Sequence, residues 1–323
     1  MQQRQAKPKT DERPRIVDLI AEGLSLVVAR PWLMIVPILV DCFIWLGVKI
    51  EPSALMNSLI NLVNDAGLDD TEDVITTLQD LATANMTQLV AIFVPSVLRG
   101  TDDSNMYQLL DQRVWTPSAG AVFFVALALI TISSLLSMVY TVPIANAIVG
   151  RKLTPGENAM LMLRSWARML LFIAIVVGAL MVVIVPTAVI SAIFAPLLPL
   201  FSSLLLLGAF AGLVLLYFVF DAIVIADVGP IDAIRFSAQI VRRNLGPALL
   251  LILASLLLAT GVPEIAARIL DSLPGLIVAV AAQALIATGL AAASMFFFVD
   301  RLRKMRPDLI ELPQTAPAFD LTR

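Results

Sequence analysis

Residues 169–220 read MLLFIAIVVGALMVVIVPTAVISAIFAPLLPLFSSLLLLGAFAGLVLLYFVF, without one charged side chain. A bilayer core about 30 Å thick is crossed by about 20 residues of α-helix, so this run is too long for one crossing and long enough for two. It breaks at Phe194-Ala195-Pro196-Leu197-Leu198-Pro199, where two prolines each remove a backbone donor and favour a reversal. Working outward, four more long apolar runs appear. Pro31–Val48 is span one, Ala119–Val149 contains span two, the quoted run supplies three and four, Leu245–Val262 is five and Pro274–Val299 is six. Fold class follows: an all-α, polytopic membrane helical bundle of about six transmembrane helices.

Composition agrees. The 323 residues are 59% hydrophobic and 15% charged, against roughly 45–50% and about 25% in soluble domains. Lipid accepts apolar side chains on the outside of a fold as well as the inside, which water does not. The formal charge of −3 offers no basic field to DNA or RNA, so nucleic acid is not an expected partner. There is no His and one Cys, Cys42, which removes the commonest general base, imidazole ligation of zinc or haem, and any intrachain disulfide. No cofactor, metal site or catalytic residue is expected. A Walker A loop, a dinucleotide fingerprint, a CxxC pair and a nucleophile elbow are all missing from the sequence.

Basic residues orient the spans. Of the chain's 22 Lys and Arg, only Lys49, Arg99, Arg113 and Arg268 fall on the side opposite the N-terminus when six spans are threaded. One missed or invented span would scramble that asymmetry. The expectation is a cytoplasmic membrane protein with both termini in the cytoplasm. Residues 1–15 and 307–323 are polar enough to be flexible tails flanking a membrane domain over 16–306. The first apolar run starts too far from Met1 and carries Asp41, so it is expected to stay as a span and not act as a cleaved signal.

Residues 51–115 form the one sizeable extracytoplasmic piece. They are acidic, with Glu51, Asp65, Asp69, Asp70, Glu72, Asp73, Asp80, Asp102, Asp103 and Asp111. Val74, Leu78, Leu81, Leu89 and Ile92 follow helical spacing behind a Thr71 N-cap, which predicts a small helical cap. Leu89–Leu98 is apolar but too short to span and carries Pro95, so it is expected on the bilayer surface or against span two. Asn85-Met86-Thr87 is a glycosylation sequon that matters only in a glycosylating host.

Three segments on the basic side share a design: an amphipathic helix with positive charge near its end, running into a span. The stripes are Ile16, Leu19, Ile20, Gly23, Val27 and Val28 in the first and Ile231, Ile234, Ala238, Val241 and Leu245 in the third. The second opens with Thr154-Pro155-Gly156-Glu157, a capping box with Pro at the first helical position, followed by Met160, Leu163 and Ala167. Three hairpins result, over about 16–149, 154–227 and 230–301, each led by an interfacial helix. Such stripes either enter the acyl boundary or pack on the bundle, and the two roles are compatible. Where they meet lipid, Arg30, Arg151, Lys152, Arg242 and Arg243 are the candidate headgroup contacts.

Within the third segment, Gly229-Pro230-x-x-Ala233-x-x-x-Ser237-x-x-x-x-Arg242 followed by an apolar span resembles the juncture of a loose bacterial superfamily. That group includes the membrane domain attached to some glycerophosphodiester phosphodiesterases and several six-span proteins. The likeness covers about 20 residues and is echoed near Ile16 and Thr154. It implies a membrane architecture. It does not imply the phosphodiesterase activity, because the soluble catalytic domain has no counterpart in this chain.

Two acids fall inside spans. Asp41 sits mid-way along span one, where an aspartate costs about 2.5–3.5 kcal/mol, so something must offset it. Either it is a proton- or cation-binding carboxylate in a polar cavity, together with Asp221 of span four, or it is hydrogen-bonded to hydroxyls of span two: Thr131, Ser133, Ser134, Ser137, Tyr140 and Thr141. Asp221 lies close enough to Asp227 to be at the cytoplasmic interface. Asn146, Gln283 and the Ala- and Gly-rich span six read as helix packing. The functional expectation is a non-enzymatic accessory or structural protein acting through lipid or membrane-protein contacts. A small transporter coupled through Asp41 is the alternative, and an intramembrane lipid enzyme needs an acid–base pair that only Asp, Glu, Lys or Tyr could supply.

Overall fold

The long apolar runs become helical, because only a helix satisfies every backbone donor and acceptor within its own segment when no water is at hand; Pro31–Val48, expected as span one, gives only a 3-10 turn and the 12-residue Ile35–Leu46. The computed structural model describes residues 15–66, 72–97, 113–193, 198–267 and 273–307. The helices are α1 (Ile16–Ala29), α2 (Ile35–Leu46), α3 (Ser53–Asp65), α4 (Glu72–Ala82), α5 (Ala119–Val149), α6 (Pro155–Ile193), α7 (Leu198–Leu216), α8 (Val219–Ile225), α9 (Pro230–Arg243), α10 (Leu245–Ala267) and α11 (Leu273–Met305). Among the described residues five stretches are long and apolar enough to cross a membrane: Ala119–Val149, Pro155–Thr187, Leu200–Ile225, Leu245–Ile265 and Pro274–Met305. The sixth is the pair of α1 and Pro31–Leu46, bent by 100°. Counted as one broken span, it completes a six-span, multi-pass membrane bundle. The expected tails at 1–15 and 307–323, the Thr71 cap and positions 194–197 of the break expected at 194–199 fall almost wholly outside the described residues, while Leu198 and Pro199 begin α7.

The bend has a local cause. Arg30 precedes Pro31, whose ring disfavours the α region for its neighbour, and Arg30 takes φ −137°, ψ 68°. A single 3-10 turn, Pro31–Met34, then leads into α2. Asn244 makes a similar joint between α9 and α10, at φ −135°, ψ 41°, with its Nδ2 donating to the Ile240 carbonyl at 3.0 Å. The middle unit differs from expectation. Its lead segment and its span are one continuous helix of 39 residues, about 58 Å long at 1.5 Å per residue, because nothing between Met160 and Met169 breaks the helix. The capping box does form. The Glu157 N–H donates to Thr154 Oγ1 at 3.3 Å, while Glu157 Oε2 accepts from the Thr154 N–H at 2.7 Å and from its hydroxyl at 2.9 Å.

The amphipathic stripes face protein. On α1 the buried residues are Ile16, Leu19, Gly23, Leu26 and Val27, packed along α11, while Val28 is exposed. On α9 they are Pro230, Ala233, Ser237, Ile240 and Val241, with Ile231 and Leu245 exposed. Its buried face is thus rotated by about one residue from the stripe read off the sequence. The rotation follows from Ser237, a polar side chain outside the apolar stripe that the fold needs inward. Its hydroxyl donates to the Leu215 carbonyl at 2.7 Å and accepts from the Phe218 N–H at 3.1 Å, closing the backbone break between α7 and α8. Ser237→Ala should lower stability by about 1–3 kcal/mol, the cost of leaving a buried donor unsatisfied. Thermal unfolding in detergent checks this, and an unchanged midpoint would refute it.

Two cores result. The larger one, at the arginine-rich end, surrounds α8, whose Val219, Ala222, Ile223, Val224 and Ile225 are all buried. Phe218 stacks on Phe297 at 5.2 Å. The smaller joins Val40 and Ile44 of α2 to Val90, Val94 and Val97 of the cap, Val122 and Leu129 of α5, and Leu276 and Ala279 of α11. The acidic insertion carries α3 and α4, and α4 stops at Ala82, short of Leu89 and Ile92. A two-residue parallel ladder, Lys49–Ile50 with Val114–Trp115, ties its two ends together. No periodicity marks so short a pairing. Beyond the cores, residues 177–186 of α6 are exposed on every face of the helix, as suits contact with lipid tails on all sides.

Candidate functional site

Asp41 is 1% exposed, and among the described residues Ser96 and Val97 of the cap donate to it. The Ser96 hydroxyl donates to Oδ1, and the Val97 N–H donates to Oδ1 at 3.1 Å and Oδ2 at 3.4 Å. Residues 86–97 are a 3-10 turn and irregular chain, so their backbone donors need outside acceptors. Asn85 Oδ1 accepts from the Thr87 N–H at 3.0 Å and Ser133 Oγ from the Phe93 N–H at 3.1 Å, while Asp41 takes Val97. Two side chains, Asp41 and Ser133, therefore staple an apolar segment of 3-10 and irregular chain into the bundle while Asn85 caps its start, the condition under which irregular backbone is tolerated at membrane depth. Phe93 reaches Phe220, with ring centroids 6.3 Å apart. Since Ser133 lies 14 residues along α5, about 21 Å from that helix's start, the segment penetrates deeply. It packs against span two, one of the two expected placements.

Span two does not hold Asp41. Thr131, Ser134 and Thr141 donate to carbonyls of their own helix, Ser134 also accepts from Trp166 Nε1 at 2.9 Å, and Ser133 serves Phe93. Ser96 could not be read from the sequence, because a contact across 55 positions leaves no local trace. Asp221 departs from expectation as well. It is 7% exposed, and the Ser294 hydroxyl donates to its Oδ2 at 2.5 Å. Its environment is the inner core and not the interface, because α8 is packed on by α5, α6, α9 and α11. Asp41 and Asp221 thus belong to different clusters and are not brought together. Asn85, the sequon residue, is spent on the turn it caps. Among the described residues no group of three His, Cys, Asp or Glu gathers to hold a metal ion.

A cavity opens among the described residues at the arginine-rich end. Asp227, immediately beyond the α8 terminus, sits at φ +50°, a left-handed position that an aspartate tolerates better than most residues. Arg164 Nη1 reaches its Oδ2 at 3.3 Å and Arg168 Nη1 its Oδ1. Arg164 and Arg168, four apart on α6, share one face of the helix. Arg151 donates from Nη1 to the Val224 carbonyl at 3.3 Å and from Nη2 to the Ile225 carbonyl, satisfying acceptors that the end of α8 leaves open. Burial pulls the Arg151 guanidinium below its ordinary value, and the charge of Asp227 opposes that shift. The group stays cationic. Arg151, Leu153, Glu157, Met160, Leu161, Arg164 and Asp227 line a cavity of about 400 Å³.

Of the residues predicted to meet headgroups, Lys152, Arg242 and Arg243 are exposed, Arg30 is half-buried at the α1 bend, and Arg151 is half-buried and bonded to α8. Nearby, Arg301 is 4% exposed, pairs with Asp300 at 3.1 Å and lies over the Phe297 ring at 5.1 Å. Arg164 and Asp227 of the cavity lining, and Arg168 that pairs with Asp227, were not among the sequence candidates. The i,i+4 spacing of the two arginines was the available signal. Comparison with protein-family models, curated proteins and solved structures finds no match to this chain. The site therefore rests on its own chemistry.

Proposed function

We propose that this chain is a non-enzymatic accessory or structural component of a cytoplasmic membrane, working through lipid or membrane-protein contacts at its arginine-rich end. The distribution of Lys and Arg supports placing that end and both termini in the cytoplasm. One observation carries the reading: both intramembrane acids are buried in bonds to Ser96, Val97 and Ser294, whereas the cavity opens beside Asp227. A coupling carboxylate has to meet water or substrate. Asp41 and Asp221 are instead used to hold segments in place.

A proton-coupled transporter is the competing reading, favoured by the helix break at Tyr217–Phe218 one turn before Asp221. Two measurements separate them. Mild detergent extraction from the native membrane, followed by native mass spectrometry, should find the chain carrying retained lipid or a stoichiometric protein partner. In proteoliposomes under a pH gradient, the wild type should move no more protons than protein-free vesicles, and Asp41→Asn and Asp221→Asn should leave that leak unchanged. A flux abolished by either substitution would overturn the accessory reading in favour of transport.

A further inference from the structure

We propose that the cavity beside Asp227 binds the phosphodiester group of an anionic glycerophospholipid; the inference rests on the reading of the arginine-rich end as the contact surface and names its ligand. Charge is the first argument. Arg151 and Arg164 line the cavity with Glu157 and Asp227 and balance them, while Arg168, outside the lining, pairs with Asp227, so the cluster as a whole sets three guanidinium groups against two carboxylates and one positive charge is left over. A phosphodiester carries one negative charge and accepts in the planar geometry that guanidinium groups offer. Asp227 is already matched by Arg164 and Arg168. The incoming anion therefore does not have to displace it from both.

Availability is the second. Arg164 is 51% exposed and touches Asp227 through Nη1 only, at 3.3 Å, which leaves most of its five N–H donors for a ligand. Arg151 is held by the Val224 and Ile225 carbonyls, so its position is fixed before anything binds, which lowers the ordering cost. Depth and wall select a lipid over a soluble phosphate. Arg168 directly precedes Met169, the first residue of the charge-free run, which puts these arginines at the edge of the hydrocarbon where headgroup phosphates sit. Leu153, Met160 and Leu161 supply an apolar wall, and Met160 stays 58% exposed, a surface suited to a glycerol backbone and the start of an acyl chain. The volume of about 400 Å³ falls in the range of small-molecule sites, roughly 300–1,000 Å³.

The full-length chain in dodecyl maltoside, equilibrated with equal amounts of dioleoyl phosphatidylglycerol and dioleoyl phosphatidylethanolamine, should retain the first in preference when examined by native mass spectrometry. Arg164→Gln should lower that retention about tenfold, the scale of one lost charge-assisted contact. Arg164→Lys, which keeps the charge, should recover part of it. Arg235→Gln, on the exposed face of α9 beside Asp232, should leave it at the wild-type level. Equal retention of the two lipids, or Arg164→Gln retaining as much phosphatidylglycerol as the wild type, would overturn the proposal. Glycerol 3-phosphate competing as well as the lipid would assign the arginines to a soluble phosphoester and overturn the lipid assignment. If the lipid preference fails while a protein partner still accompanies the chain, the accessory reading stands and only this site is lost.

Discussion

Gly23→Ala is expected to unseat α1 from α11. A Cβ at Gly23 would lie 2.2 Å from the Gly289 carbonyl oxygen and 2.9 Å from the Ala293 nitrogen, and both are backbone atoms of a long helix that cannot yield locally. In a helix the same exchange would by itself gain about 1 kcal/mol of propensity. Overpacking costs typically 1–3 kcal/mol and occasionally more, and here the clash is with backbone, so a net loss of about 3 kcal/mol is expected. Gly289→Ala is the informative control. Its Cβ would meet Leu24 Cδ2 at 2.5 Å and Cγ at 3.0 Å, with the nearest backbone atom, Leu24 Cα, at 3.3 Å, so the closest clash is with a side chain that can turn and the effect should be smaller. Thermal unfolding of both variants in one detergent ranks them. Equal midpoints, or the reverse order, would mean that α1 is not seated on α11 as described. Since lipid tails are as apolar as leucine, it is close packing of this kind that holds helices together in a membrane.

Asp41→Ala is expected to have the other large effect. The usual objection is that removing an aspartate from a span should relieve about 2.5–3.5 kcal/mol. That relief applies equally to the unfolded chain, whose second helix still lies in the bilayer, so it cancels from folding stability. What remains is the loss of the acceptor for the Ser96 hydroxyl and the Val97 N–H, each buried donor left unsatisfied costing about 1–3 kcal/mol. A net loss of about 3 kcal/mol should follow, with new protease cleavage within 86–97 as the segment detaches. Asp41→Asn keeps one oxygen acceptor and should lose less. An Asp41→Ala protein with unchanged stability and an uncut cap would sink the stapling role.

These contrasts show how unevenly the fold was written in the sequence. The run Ala119–Val149, read as containing span two, coincides with α5, because a helix in lipid is dictated by a continuous apolar stretch and ended by Gly150 at φ +73°. The Thr154–Glu157 box was legible because capping is a matter of four adjacent residues. The glycine and serine of the Gly229–Arg242 juncture were visible as a pattern, but their reason was not. Ser237 matters through Leu215 and Phe218, some twenty positions earlier.

What the sequence determined by itself was the membrane class, the apolar elements and the segregation of basic residues, since each depends on local composition measured against the thickness of a bilayer. Only the tertiary structure decided the use of the polar minority: Asp41 for the cap, Asp221 for Ser294, Arg151 for the end of α8, and Arg164 with Arg168 for Asp227. The physical reason is that a buried polar group must find a partner in space, and in a bundle of long helices that partner is set by which helices touch and in what register, not by neighbours along the chain.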